Sequence, residues 1–532
     1  MADTLVPVAL PPGVFRNGTQ YQAKGRWNKS HLVRFYSGSI EPIGGWRTAQ
    51  SDTGSDIPAL TGVPRGALSW RGLNGDQYVA IGTTQKLYVI VDGTRYDITP
   101  VGFTAGAADT TSSTGAYGAG LYGGGAYGAG AVTSAMHDAD VWTLDSFGDY
   151  LLATSPSDSK LYIWLGVPAN PAIPVDMSAA TGAPTGLDAV AVTPERFIFA
   201  LGTANQRRVT WPDQAGYATW GPLVTNSAGS WDLATDGRIM AGQRTKNETL
   251  IWTDVDVHAA RYVGGVGLYR FDQVGDKCGL ISRRAKVVVD TMAFWMGKDN
   301  FFMYDGYTHS LPSEVHDYVF GDFNFVQAAK VWALSVAQFG EVWWFYPSAH
   351  SLECDRYVVF NYREGHWTTG QLPRSAGIDA GVTQYPIMLD TAGRVYEHEI
   401  QQERAASAFG EAGNPLLTED GFALLAEDGV ELTMEQTAPF LESGPIEVGE
   451  GDRLISIQRL VPDEKTLGDV SATVFSSLFP TATEVKHGPY SLENPTPVRI
   501  TARQIRLRYE EARPTDWRVG VTRLGIRPSS RR

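Results

Sequence analysis

Short apolar runs recur along residues 78–400, each followed by a polar turn and then a second run rich in aromatics. The pattern begins with YVAIGTTQKLYVIVDG at Tyr78. It returns as YLLATSPSDSKLYIWLG at Tyr150, FIFALGTANQRRVTW at Phe197 and RIMAGQRTKNETLIWTD at Arg238. It continues as MAFWMGKDNFFMYDG at Met292, EVWWFYPSAHSLECDRYVVFNY at Glu341 and YPIMLDTAGRVYEHE at Tyr385. Turn segments such as Ser157-Asp158-Ser159, Thr245-Lys246-Asn247 and Lys298-Asp299-Asn300 carry the residues that hairpins prefer. Each unit therefore predicts an antiparallel strand pair.

The units start near residues 79, 150, 197, 239, 293, 342 and 386, at spacings of about 71, 47, 42, 54, 49 and 44. Removing roughly 30 residues around 104–134 brings the first spacing into line with the others. A period of about 40 to 50 residues with a hairpin in every unit predicts a β-propeller, in which small sheets bury their faces by packing radially. Unrelated hairpins in a sandwich or barrel are the competing architecture. The expected fold class is all-β: a propeller of six or seven blades over residues 61–400, with an all-β platform or sandwich built from the chain ends.

The ends carry a different texture. GRWNKSHLVRFYSGSIEPIGGWR, residues 25–47, partly alternates and breaks at a Gly-Gly pair, which predicts two strands outside the propeller in an N-terminal segment, 1–60. Beyond residue 400, LLTEDGFA and LLAEDGVE form a tandem repeat of strand and Asp-Gly turn. Ile505, Leu507 and Tyr509 then alternate with Arg506, Arg508 and Glu510 as a half-buried strand. Residues 401–532 are thus read as a C-terminal all-β domain.

One stretch fits neither element type. TGAYGAGLYGGGAYGAG, residues 114–130, spaces Tyr117, Tyr122 and Tyr127 five apart in Gly and Ala. That interval follows neither a helix face nor a single strand face. The stretch lies in an insertion, 104–136, between the first two units. An inter-blade or inter-subunit loop, a gate tip in a channel and a disordered linker are all compatible with it.

Composition narrows the class. The 532 residues include 58 Gly and 29 Pro, with 43% apolar and 11% aromatic residues, enough to bury a large core of strands and turns. The N-terminus lacks the basic start and apolar core of a signal peptide, and no run of 18 apolar residues occurs. Cys278 and Cys354 read as two buried thiols. The net charge of −14 is uneven: residues 499–532 hold ten Arg against Glu510, Glu511 and Asp516, leaving −21 on the remainder. Such an acidic body does not suit sequence reading of nucleic acid, but it suits a passage along which DNA must slide without sticking.

Candidate chemistry is sparse. Asp254, Asp256 and His258 alternate along TDVDVHAARY and could hold a divalent metal, or could be a solvated strand face. SPSDSKLYIW approaches the sialidase turn Ser-x-Asp-x-Gly-x-x-x-Trp, with the glycine position wrong and no second copy. Glu353, Asp355 and Glu364 lie in turns without a distinctive glycosidase setting. No nucleophile elbow or phosphate-cradling Gly-Lys-Ser loop occurs. The expectation is a non-enzyme without cofactor or metal. Trp343, Trp344 and Trp367 could stack on sugars in a receptor- or glycan-binding (or glycan-degrading) tail propeller, or could be blade core. Arg503, Arg506 and Arg508 form a basic strand that could meet an acidic neighbouring subunit.

The N-terminal GRW…LVRFYSGSIEPIGGW, the GLYGGGAYG ribbon, the LYV and LYI blades and the C-terminal IRLRYEEARPTDWRVGVTRLGIRPSSRR together resemble bacteriophage tail proteins, in particular the tail nozzle, or tail-tube hub, of short-tailed phages. The resemblance covers most of the chain in order and texture, though no single motif is diagnostic. It implies a structural virion protein, synthesised and assembled in the host bacterial cytoplasm. Six identical subunits would form a ring below the portal and head-to-tail adaptor, beside tail fibre or needle proteins. That ring would conduct double-stranded DNA during ejection with only transient, non-specific contact. Loops into the lumen of such a nozzle can close it, which makes the segment with Tyr117, Tyr122 and Tyr127 the candidate gate.

Overall fold

A computed structural model of the chain describes residues 4–113, 135–175, 184, 186–203, 205–400, 438–447, 454–480 and 482–528. Seven four-stranded antiparallel sheets follow one another along the chain. Their first strands are Pro64–Arg71, Thr143–Phe147, Ala189–Val192, Ile239–Arg244, Lys286–Val289, Trp332–Val336 and Ala376–Ile378. These strands lie side by side at the centre, and Ala376–Ile378 of blade 7 returns to pack on Pro64–Arg71 of blade 1. The result is a closed seven-bladed β-propeller.

Apolar clusters fill the seams between blades. Trp70, Tyr78, Trp142 and Trp164 fill the seam of blades 1 and 2. Leu152, Ile163, Val190 and Trp220 fill that of blades 2 and 3. The closing seam joins Val79, Ile81 and Tyr88 of blade 1 to Ile378, Ile387 and Leu389 of blade 7. A middle strand such as Glu341–Tyr346 therefore buries both faces, and all six of its residues are buried. This explains why the blades read as continuous apolar and aromatic runs rather than strict alternation. The packing leaves little slack: a Cβ on Gly82 would fall 2.3 Å from Cγ of Trp142, whose indole N–H donates to the Thr83 carbonyl at 2.7 Å.

Two readings from sequence shift. The first four residues of the propeller to be made are not in blade 1. Gly45–Thr48 pairs with Val395–Ile400 as the outer strand of blade 7, so part of the segment placed outside the propeller at 1–60 lies inside it. Closure by the far end of the chain ties the ring without a covalent link. The fourth unit was also out of phase: RIMAGQRTKNETLIWTD spans the first and second strands of its blade, Ile239–Arg244 and Thr249–Thr253. The other units span second and third strands.

Both chain ends build a second body. Thr4–Pro7 pairs with Arg523–Pro528, which continues through Ile455–Val461 to Thr496–Ala502. Trp27–His31 pairs with Phe440–Ser443 and leads through Gln504–Glu511 and Val470–Ser477 to Val485–Ser491. These two sheets form the expected sandwich from the chain ends. Its core, including Trp27, Ile457, Leu507, Tyr509 and Trp517, runs without a break into that of blades 4 to 6. Ser30 Oγ bonds the Thr369 carbonyl at 2.7 Å, fixing the sandwich against blade 6. The tandem repeat in residues 401–437 lies outside the described residues. Among the described residues, no helix is long and apolar enough to cross a membrane.

Candidate functional site

Starting each blade at the centre places its second turn and the connector to the next blade on one face. On that face the connector from blade 1 to blade 2 carries the Gly/Tyr insertion. Tyr117, Tyr122 and Tyr127 lie outside the described residues. The root from which the insertion departs is described: Thr111–Ser113 and Ala135–His137 form an antiparallel ladder, with Thr111 opposite His137.

That root lies across the mouth of the propeller's central channel. Thr110 exchanges two hydrogen bonds with the Gln327 side chain, at 3.1 and 3.3 Å, just before blade 6 begins. Fully buried Lys330 reaches Asp109, Glu353 at 3.1 Å and the Leu352 carbonyl at 2.6 Å. Arg65, at the start of blade 1, grips Glu353 with two bonds of 2.9 and 2.5 Å and donates to the Ala108 carbonyl at 3.1 Å. On the returning strand, Asp138 pairs with Arg238 of blade 4 at 3.0 Å. Contacts to blades 1, 4 and 6 make the connector a bridge over the channel. The charge-assisted bonds made by buried Lys330 and Arg65 hold its position against water competition.

A groove opens on the same face between blades 3 and 4. Its volume is about 650 Å³, and Arg207, Asp232, Asp236, Arg238 and Asp254 line it. Asp232 forms a two-pronged pair with Arg208 at 2.7 and 2.8 Å, and hydrogen bonds from that guanidinium hold its carboxyl below the usual range. Asp254 accepts the Arg238 backbone N–H at 2.8 Å. Beside the groove, half-exposed Trp231 stacks on Phe271 with centroids 6.0 Å apart and planes 10° from parallel.

The alternation of Asp254, Asp256 and His258 does not form a strand face. Asp254 and Asp256 occupy the turn between Thr249–Thr253 and Val257–Tyr262. Asp256 is buried and accepts from Thr235 at 2.9 Å, from Thr253 at 2.5 Å and from Gln273 at 3.1 Å. Burial alone would raise its carboxyl. Bonds from His258, Thr253 and Thr235 outweigh that effect and lower it. The trio ties a turn together, and among the described residues no group of three or more His, Cys, Asp or Glu is arranged for a metal.

The remaining candidates are distributed through the fold. Trp343, Trp344 and Trp367 are 0–2% exposed and form blade core, so none can stack on a sugar. Glu353 belongs to the ion pairs under the bridge. Asp355 holds Ser348 through two bonds of 2.7 Å, and burial raises its carboxyl. Glu364 sits 3.1 Å from His366. Cys278 and Cys354 are free and buried, and burial pushes the Cys278 thiol up to about 12.

The basic strand of the sandwich spends its charge internally. Arg506 is buried, pairs with Glu442 and Glu484, and lies 4.9 Å over the Phe475 ring. Arg508 bonds Glu510 at 3.2 Å and stacks 3.9 Å over Phe440. Arg503 is half-buried, its backbone N–H bonded to the Ser477 carbonyl at 3.2 Å. The face expected to be open to water is thus largely covered by carboxylates and rings of the same chain. The groove and the bridge over the channel were not legible in sequence, since both unite loops hundreds of residues apart.

No family model matches the chain, and no curated protein matches it. Among solved structures, it is similar to PorZ, a surface component of the type-IX secretion system of Porphyromonas gingivalis, at 8% identity and TM-score 0.34. That match covers 77% of this chain and 44% of PorZ, under half of PorZ's length. The Neurospora crassa Pan2 WD40 domain aligns at 10% identity and TM-score 0.37, over 69% of this chain and 96% of that domain. An exo-β-1,3-galactanase from Phanerochaete chrysosporium aligns at 10% identity and TM-score 0.27, over 91% of this chain and all of that one.

Proposed function

We propose that this propeller is a structural subunit of a bacteriophage tail, assembling with copies of itself into a nozzle ring that conducts double-stranded DNA. The observation that carries the reading is the bridged channel. With the connector fixed over its mouth by Lys330, Gln327 and Arg65, the propeller's own axis is no conduit, and any passage lies between copies. The negative charge outside the C-terminal strands suits walls that DNA slides past. The sandwich made from both chain ends shares a core with the propeller, which suits a subunit that must hold its place in a ring.

Sedimentation velocity of the full chain across a concentration series tests this. Self-association to a closed ring is expected, and a monomer at every concentration would count against it. A second reading, glycan binding, is favoured by the groove between blades 3 and 4 and by the exposed Trp231 next in sequence to its lining residue Asp232. Its mark would be saturable oligosaccharide binding by a monomer, lost in Trp231→Ala.

A further inference from the structure

The two sheets of the sandwich treat their arginines differently. In the sheet through Gln504–Glu511, Arg506 and Arg508 meet Glu442, Glu484 and Glu510. The other sheet consists of Thr4–Pro7, Arg523–Pro528, Ile455–Val461 and Thr496–Ala502. These four strands contain Arg459, Arg499, Arg523 and Arg527 and not one Asp or Glu. The chain as a whole has 58 Asp and Glu against 44 Lys and Arg.

Strand alternation puts all four arginines on one face. Leu524 and Ile526 are buried, so Arg523, Gly525 and Arg527 point outward. Val498, Ile500 and Ala502 are buried likewise, which turns Arg499 out. A bulge between Ile457 and Arg459 sets exposed Arg459 opposite both Gly525 and Pro497. A Cβ on Gly525 would fall 2.5 Å from Cγ of Arg459, so that side chain lies across the middle of the face. Arg523 and Arg499 stand two residues from those partners, which makes both diagonal neighbours of Arg459 at about 7–8 Å.

Among the described residues Arg459, Arg499 and Arg523 form no ion pair. The carboxylates next along the described chain are committed elsewhere. Asp463 accepts the Val521 N–H at 2.9 Å. Glu464 accepts the N–H groups of Gly468, Asp469 and Val470 at 3.1, 3.0 and 3.0 Å. Glu493 lies beside Gly468. By sequence, the flanking residues 1–3, 448–453 and 529–532 hold three acids and three arginines, so they do not cancel the excess. Between the arginines lie Ser456, Gln458 and Thr501, and Leu5 is the one large apolar side chain exposed on these strands. Protein interfaces are built around aromatic or aliphatic anchors, which this face lacks. Guanidinium forks with hydroxyl and amide donors between them match a row of phosphates instead.

We propose that this outer sheet of the sandwich binds the phosphate backbone of duplex nucleic acid without reading its sequence. The acidic remainder of the chain keeps the contact weak and confined to one face. The site stands on this face alone, whether or not the chain forms a ring.

Fluorescence anisotropy of a labelled DNA duplex titrated with the full chain, between about 50 and 200 mM chloride, tests the proposal. Two duplexes of unrelated sequence should bind alike. Log K should fall against log salt with a slope of about −3 to −4, the value for four phosphate contacts. Arg459→Gln, Arg499→Gln and Arg523→Gln should each reduce that slope by about 1. The triple variant should lose binding yet melt no lower than wild type, since none of the three pairs within the described chain. Arg513→Gln, which removes an exposed arginine paired with Asp469 outside this sheet, should leave binding unchanged. No duplex binding by wild type, a strong preference between the two duplexes, or a triple variant that binds as wild type does would overturn the site. So would a triple variant that alters only self-association in sedimentation velocity, because the face would then meet another copy of the chain.

Discussion

At the scale of residues, the fold depends on a few buried charges whose partners come from distant parts of the chain. Arg34 is almost fully buried. It bonds Glu341 at 3.1 Å through two nitrogens and Glu399 at 2.7 and 2.6 Å, with Phe339 3.7 Å beneath it. Glu399 holds a left-handed φ of 62° at the bulge of its strand, where its carboxylate also accepts the Gly44 N–H at 3.0 Å. Arg34→Met strands two buried carboxylates and should cost about 3–5 kcal/mol, measurable by urea unfolding. In the sandwich, burial alone would raise the Glu442 carboxyl, but Arg506 and Lys29 outweigh it and hold it below the ordinary range. A folded value below the unfolded one means that this stabilisation is complete above about pH 4.3 and is lost as pH falls through the folded value. Thermal melts should therefore show Glu442→Gln well below wild type at pH 7 and converging with it near pH 3. A constant gap would refute the assignment. None of these partnerships was legible in sequence: Arg506 and Arg508 read as a charged face because alternation reports which side a residue takes, not what covers it.

At the scale of elements, the repeat was readable because its turns carry Asp, Asn, Gly and Ser at each reversal, and because seam packing makes both faces of the middle strands apolar. The seventh blade was ambiguous for a physical reason. Its fourth strand is Gly45–Thr48, some 350 residues before its pairing partner, and a period search along the chain cannot see it. The same strand yields a sharp expectation. Trp46 is buried and stacks on His398, with centroids 5.3 Å apart. Trp46→Ala should cost about 3–5 kcal/mol. It should also raise hydrogen exchange first in Ala376–Ile378, Ile387–Leu389 and Val395–Ile400, while blades 2 and 3 stay protected. Uniform loss of protection around the ring would mean that closure by the N-terminal strand is not the weak point.

At the scale of the whole molecule, the chain ends do two jobs, closing the propeller and building the sandwich, so neither body is independent of the other. On the proposed reading, assembly surrounds a shared lumen and DNA does not pass through the subunit. The open groove between blades 3 and 4 is the feature that a lone binding protein would use instead. Electron microscopy of the purified full-length chain separates the two most directly. Closed rings of identical subunits, with the lumen bounded by several propellers and each propeller axis blocked, are expected. Dispersed single propellers at every concentration, or density for DNA along a propeller's own axis, would contradict the proposal.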